Sequence, residues 1–148
     1  MEKEKRRLAG PAIRALVVDD STVVRRLMEF TLSAVGIEID FAATGEDALA
    51  LVRHSRYDII FLDVLLPGID GYRVCKAIRA GRLTKDTPVV MLTSKDSAID
   101  KVRGIMAGSN VYLIKPLDRS ELMQALEKCV PRSATLSARA ERPRGRHV

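Results

Sequence analysis

From Arg14 to Cys129 short apolar runs alternate five times with amphipathic segments, the pattern of strand-helix units laid on a parallel sheet. Ala15-Leu16-Val17-Val18, Ile59-Ile60-Phe61-Leu62 and Val89-Val90-Met91-Leu92 are almost unbroken apolar runs. Strands need such runs when helices cover both faces of their sheet, so these three are predicted at its centre. Ile37-Glu38-Ile39-Asp40-Phe41 alternates apolar and polar residues, which suits a half-exposed edge strand. Val111-Tyr112-Leu113-Ile114 supplies the fifth strand.

Helices are predicted between the strands. The first, over about 22–35, repeats apolar residues at Val24, Leu27, Met28, Thr31, Leu32 and Val35, with Gly36 ending it. The second opens on Thr44 with Asp47 three residues on, close to capping-box spacing, and is expected to bury Ala48, Leu49, Leu51 and Val52. A third follows Gly71, and a fourth runs over about 97–108. The last begins with Asp118 and Glu121 and puts Leu122, Ala125, Leu126 and Cys129 on one face. Met91, Met106 and Met123 are expected to fill the core. These elements predict an α/β fold: a five-stranded parallel sheet, doubly wound in the flavodoxin-like (βα)5 manner, in strand order 2-1-3-4-5.

Composition adds limits. A chain of 148 residues fits one domain, and no apolar run approaches the ~20 residues of a membrane span. The charged N-terminus is followed by no signal-like apolar stretch, so a cytoplasmic location is expected. Cys75 and Cys129 stand far apart, in no ligand-like spacing, and are expected as reduced, partly buried thiols. The net charge of +6 lies in the ends: residues 1–14 carry +3, residues 131–148 carry +4, and the body between them is near neutral. The chain therefore divides into a basic extension over 1–12, a domain over 13–130 and an Arg-rich tail over 131–148, expected to be disordered for want of apolar periodicity. No specific nucleic-acid binding is expected of the body, and 18 residues after position 130 are too few for a DNA-binding domain.

The polar residues that interrupt the apolar runs carry the chemistry. Asp19 and Asp20 follow the first strand, Asp63 the third, Thr93 the fourth and Lys115 the fifth. In an open parallel sheet the C-terminal strand ends form one rim, so residues spread over most of the chain converge there. Three carboxylates at one rim repel one another unless a cation neutralises them or their pKa values rise, and a hard, oxygen-seeking Mg²⁺ suits that donor set. Lys115 can pair with a phosphoryl oxygen and the Thr93 hydroxyl can donate to another. The set holds a nucleophile, a metal site and two phosphoryl-oxygen partners.

Val17-Val18-Asp19-Asp20-Ser21, Phe61-Leu62-Asp63 with Leu66-Pro67-Gly68 and Asp70-Gly71, Leu92-Thr93-Ser94, and Leu113-Ile114-Lys115-Pro116 together resemble the signature of two-component response-regulator receiver domains over residues 13–130. The resemblance implies that Asp63 is the phosphoacceptor, that Asp19 and Asp20 are acids of a Mg²⁺ site, and that the Leu65 backbone carbonyl is a further ligand. It implies a cis peptide between Lys115 and Pro116 and a switch pair of Thr93 and Tyr112. The partners it implies are a histidine kinase or phosphotransfer protein and a downstream target on the face of the fourth helix, fifth strand and fifth helix. The protein would be a monomer or a phosphorylation-dependent dimer, and no turnover enzyme. Leu66, Val111 and Leu117 depart from residues common in the family, and Leu65 and Lys95 flank the pocket. The stretch from Val90 to Lys115 resembles the stand-alone regulators of chemotaxis-like and twitching pathways.

Rival chemistries fit less well. Phosphohydrolases working through an aspartyl phosphate usually carry a second acid two residues after the nucleophile, where Leu65 stands here. An acidic rim repels a flavin phosphate, and no Gly/Ser/Thr-rich phosphate loop follows the first strand.

Overall fold

The computed structural model describes residues 11–94 and 98–136. Five strands, β1 (Arg14–Val18), β2 (Glu38–Ala42), β3 (Ile59–Asp63), β4 (Val89–Thr93) and β5 (Val111–Ile114), alternate with five α-helices among the described residues. These are α1 (Thr22–Ser33), α2 (Gly45–His54), α3 (Gly71–Ala80), α4 (Ala98–Ala107) and α5 (Arg119–Cys129). The sheet is parallel throughout and ordered β2-β1-β3-β4-β5, as the apolar pattern predicts.

Alternation along each strand sorts the core into two layers. Ala15, Val17, Ile59, Phe61, Val90 and Leu92 pack beneath α1 and α5, against Met28, Leu32, Leu122 and Leu126. Leu16, Val18, Ile60, Leu62, Val89 and Met91 pack beneath α2 to α4, against Ala48, Val74, Cys75 and Ile78. The three central strands are buried on both faces, and the edge strand β2 is buried only at Ala42. Caps fix the entry of the helices. Ser21 Oγ accepts from the Val24 N–H, Thr44 Oγ1 from Asp47 and Asp70 Oδ1 from Arg73, each satisfying a donor that has no intrahelical partner.

Three expectations are corrected. Leu27 is 39% exposed: α1 turns Met28, Thr31 and Leu32 inward, and Leu27 joins the exposed stripe of Val23 and Phe30. Met106 is 77% exposed rather than core filler, because the residue α4 buries there is Ala107. The tail does not begin at Pro131. Pro131–Ser133 form a 3-10 turn, Ser133 is fully buried, Leu136 packs on the α1/α5 core, and Arg132 pairs with Asp58 at 3.2 Å. The helical turn after α5 lets a single apolar residue dock where no periodic stripe exists. Positions 1–10, 95–97 (Lys95 included) and 137–148 lie outside the described residues.

Arg79, near the end of α3, braces the edge of the fold remote from the acidic rim. Its guanidinium donates to the carbonyls of Gly108 (2.8 Å), Thr87 (2.6 Å) and Lys85 (3.2 Å) and to Asn110 Oδ1 (2.6 Å). Losing charge-assisted bonds to part-buried carbonyls costs more than losing neutral ones. Arg79→Ala is expected to lower stability by about 2–3 kcal/mol in urea denaturation while leaving divalent-cation binding at the rim unchanged.

Candidate functional site

Each strand of the sheet's centre ends on a residue of the site. β1 delivers Asp19, which is fully buried, and next to it Asp20, which is exposed. β3 ends on Asp63, 5% exposed, β4 on the fully buried Thr93, and β5 is followed by Lys115. The predicted convergence is therefore observed: Lys115 Nζ lies 2.8 Å from Asp19 Oδ2, across 96 positions of sequence, and 3.5 Å from Asp63 Oδ2. The Lys115–Pro116 peptide is cis.

The two buried carboxylates are held alike. Asp19 Oδ1 accepts the Ser21 N–H at 2.9 Å and Asp63 Oδ1 accepts the Leu65 N–H at 3.2 Å. Each thus has one oxygen fixed by the backbone two residues on and the other near the Lys115 ammonium. Among the described residues, one cation against three acids leaves the rim net negative. One carboxylate oxygen from each of Asp19, Asp20 and Asp63 lies within 4.8 Å of the other two, close enough to share one small ion. An all-oxygen donor set with one exposed member fits Mg²⁺, which keeps part of its water shell.

The electrostatics follow from this crowding. Burial, and then the charge of Asp19, push the Asp63 carboxyl above its ordinary value, while Lys115 and the Leu65 N–H pull it back. Burial disfavours the Lys115 ammonium, but its hydrogen bond to Asp19 and the charges of Asp63 and Asp19 outweigh burial and raise its pKa. Because the folded state favours protonated Asp63, it binds more protons than the unfolded chain between the unfolded carboxyl value and the raised folded one. Stability therefore falls as pH rises through that window. In chelator, Asp63→Asn is expected to be more stable than the parent at neutral pH, by on the order of 1 kcal/mol. Denaturant titrations should show that gain disappearing below pH ~3.9, the ordinary aspartate value.

Local packing sets where Asp63 points. Gly71, the first residue of α3, donates its N–H to the Val64 carbonyl at 2.9 Å, and a Cβ on it would stand 2.2 Å from the Asp63 carbonyl oxygen. Only glycine lets α3 start this close to the strand end. Gly68 has a φ of +77° in the same loop, and Glu46 Oε1 at the start of α2 accepts the Ile69 N–H at 3.1 Å. The loop that carries Leu65, itself 51% exposed, is therefore tied at both ends. Glu46 was not foreseen, because its spacing is that of any first-turn acid.

Tyr112 is half-buried on the sheet face that Thr93 shares, close to Tyr72 of α3, whose hydroxyl donates to the Asp100 carbonyl at 3.2 Å. Burial and the neighbouring Tyr72 push the Tyr112 pKa up to about 12, so it stays a neutral hydroxyl. Tyr72 was also missed: its position in α3 reads as core, and nothing in the periodicity marks a bonded hydroxyl. Burial raises both cysteine thiols, Cys75 and Cys129, which are free, so they remain protonated and inert.

Known proteins resemble the chain in sequence and in fold. Protein PilG of Pseudomonas aeruginosa is 41% identical over 119 residues, covering 80% of this chain and 88% of PilG. Other relatives are transcriptional regulators of which the chain spans about half the length. Among solved structures, the chemotaxis protein CheY4 of Vibrio cholerae is 34% identical with a TM-score of 0.76, covering 80% of this chain and 99% of that one. The receiver domain of sensor histidine kinase PA1611 from Pseudomonas aeruginosa is 32% identical, with a TM-score of 0.76 over 81% of this chain and 98% of its own. That structure carries a magnesium ion coordinated in its active site cleft. The response regulator receiver domain family matches residues 15–127, and with these relatives it establishes that the chain belongs to that family of two-component signalling switches.

Proposed function

We propose that the protein is a phosphorylation-switched response regulator in which Asp63 takes a phosphoryl group from a histidine kinase or phosphotransfer protein. The observation that carries this reading is the pair of buried acids Asp63 and Asp19, both within reach of the part-buried Lys115 ammonium and beside exposed Asp20. An Asp63 carboxylate oxygen attacks phosphorus in line; the bond to the donor histidine nitrogen breaks, and its electron pair returns to the imidazole. Asp19, Asp20, Asp63 and the Leu65 carbonyl would hold Mg²⁺, which when bound supplies positive charge to the phosphoryl oxygens. Lys115, kept charged by its two acids, pairs with a further phosphoryl oxygen, and Thr93 donates to another. The exposed aliphatic Leu65 places no acid where a hydrolase would need one, which supports a switch over a turnover enzyme.

The product adds roughly −1.5 to −2 charges at the rim. Thr93 and Tyr112 respond to it, and the α4-β5-α5 face presents the changed surface to a downstream target. Exposed Val102 and Ile105 on α4 give that face apolar area for a partner. Moving from ~1% to ~99% active takes about 5.5 kcal/mol of state preference from phosphate and partner together. The reading implies a cytoplasmic protein that is a monomer or dimerises on phosphorylation.

Beryllofluoride with Mg²⁺, followed by ¹⁹F NMR, tests the site. A bound signal that needs both Mg²⁺ and Asp63, and is absent in Asp63→Asn, is expected. A signal unchanged in that variant, or none at all in the parent, contradicts the reading.

A further inference from the structure

Glu46 is an exposed acid in the first turn of α2, where a negative charge ordinarily complements the helix dipole and no more. The cap of α2 is made without it, by Thr44 Oγ1 accepting the Asp47 N–H at 3.1 Å. Glu46 reaches away from its own helix instead: its Oε1 accepts the Ile69 N–H, 23 positions along the chain, at 3.1 Å. No Lys, Arg or His nitrogen lies within 4.0 Å of its carboxylate among the described residues, so no surface ion pair competes for it.

The approach of α2 to this loop is close. A Cβ at Gly68 would stand 2.7 Å from Glu46 Oε1, and one at Gly45 would stand 3.0 Å from the Ile69 carbonyl oxygen. Gly68 thus answers two demands at once, a φ of +77° and room for the carboxylate. The ends of the loop are held by their own elements, through Gly71 N–H to the Val64 carbonyl at 2.9 Å and Leu65 N–H to Asp63 Oδ1 at 3.2 Å. Between them, Leu66 and Ile69 pack on the core beneath α2 to α4. Apolar packing is non-directional and tolerates sliding, whereas a hydrogen bond fixes orientation. The Glu46 bond supplies that orientation from a separate element.

We propose that Glu46 is a positioning residue for the metal site: by holding the Ile69 N–H it sets the loop that carries the Leu65 carbonyl, so that this carbonyl stands at the rim before an ion arrives. The proposal rests on the reading of Asp19, Asp20, Asp63 and the Leu65 carbonyl as a Mg²⁺ site. Ordering the loop during folding removes that cost from ion binding. The role belongs to the acceptor oxygen rather than to the charge. A glutamine at 46 keeps an oxygen that can accept the same N–H, and an alanine does not. Both lose the negative charge at the helix N-terminus.

Glu46→Ala and Glu46→Gln in the full chain separate these roles by two readouts. In chelator, exchange of the Ile69 amide is expected to be roughly three- to tenfold faster in Glu46→Ala, the range one exposed hydrogen bond commands, and parent-like in Glu46→Gln. In a Mg²⁺ titration followed by amide chemical shifts, Kd should rise roughly three- to tenfold in Glu46→Ala and stay within about twofold of the parent in Glu46→Gln. A role confined to the helix dipole would lower the stability of both variants alike and leave both Kd values unmoved. A Kd within about twofold of the parent in Glu46→Ala, or an equal weakening in Glu46→Gln, would overturn the proposal. A parent that binds no Mg²⁺ would overturn the metal reading itself, a result distinct from a parent and a Glu46→Ala variant that bind equally well.

Discussion

Lys115→Met is expected to slow Asp63 phosphorylation by acetyl phosphate about 100-fold or more, the effect of deleting one preorganised charge from a developing transition state. The position concentrates that effect. Among the described residues its ammonium is the cation within 4.0 Å of both Asp19 and Asp63, and it is only 20% exposed. Methionine keeps the bulk of the stem, so lost packing contributes little. Lys115→Arg should not restore the rate, because a planar fork cannot sit as a point charge between two carboxylates held by separate strands. Stopped-flow measurement at saturating Mg²⁺ checks this; rates within threefold of the parent would show that Lys115 only balances charge in the resting state.

The second large effect falls on the fold beneath the site. Gly71→Ala places a methyl carbon 2.2 Å from the Asp63 carbonyl oxygen and 2.8 Å from Val64 Cα. Both obstacles are backbone, so no rotamer change relieves them. The start of α3 must move away from β3, at a cost of about 3 kcal/mol or more, and Asp63 moves with it. The denaturation midpoint should drop sharply and cation affinity should fall as well. A loss below about 1 kcal/mol would mean that the junction yields more readily than its packing implies.

How far the sequence was readable follows from how many residues share each signal. β1, β3 and β4 announced themselves as apolar runs, and burial on both faces is what such runs require. The rim was legible because Asp19, Asp63, Thr93 and Lys115 each end or follow such a run, and a parallel sheet brings those ends together. Leu27 and Met106 were misplaced because a helical stripe defines a face only to within about one residue's rotation, and the neighbours Met28 and Ala107 took the inward positions. The turn at 131–136 escaped notice because one buried Ser133, one docked Leu136 and one ion pair make no period. Tyr72 and Glu46 act through single bonds to backbone atoms of another element, and such bonds depend on tertiary distance that no local pattern encodes.

The central claim is that Asp63 accepts a phosphoryl group at a Mg²⁺-dependent site. Intact-mass measurement after incubation with acetyl phosphate tests it most directly, with parent and Asp63→Asn compared in the presence of Mg²⁺ and of chelator. A single added phosphoryl group in the parent with Mg²⁺, absent in chelator and absent in Asp63→Asn, is the predicted result. A phosphoryl adduct that persists in Asp63→Asn, or a parent that stays unmodified after beryllofluoride has been shown to bind, would contradict it.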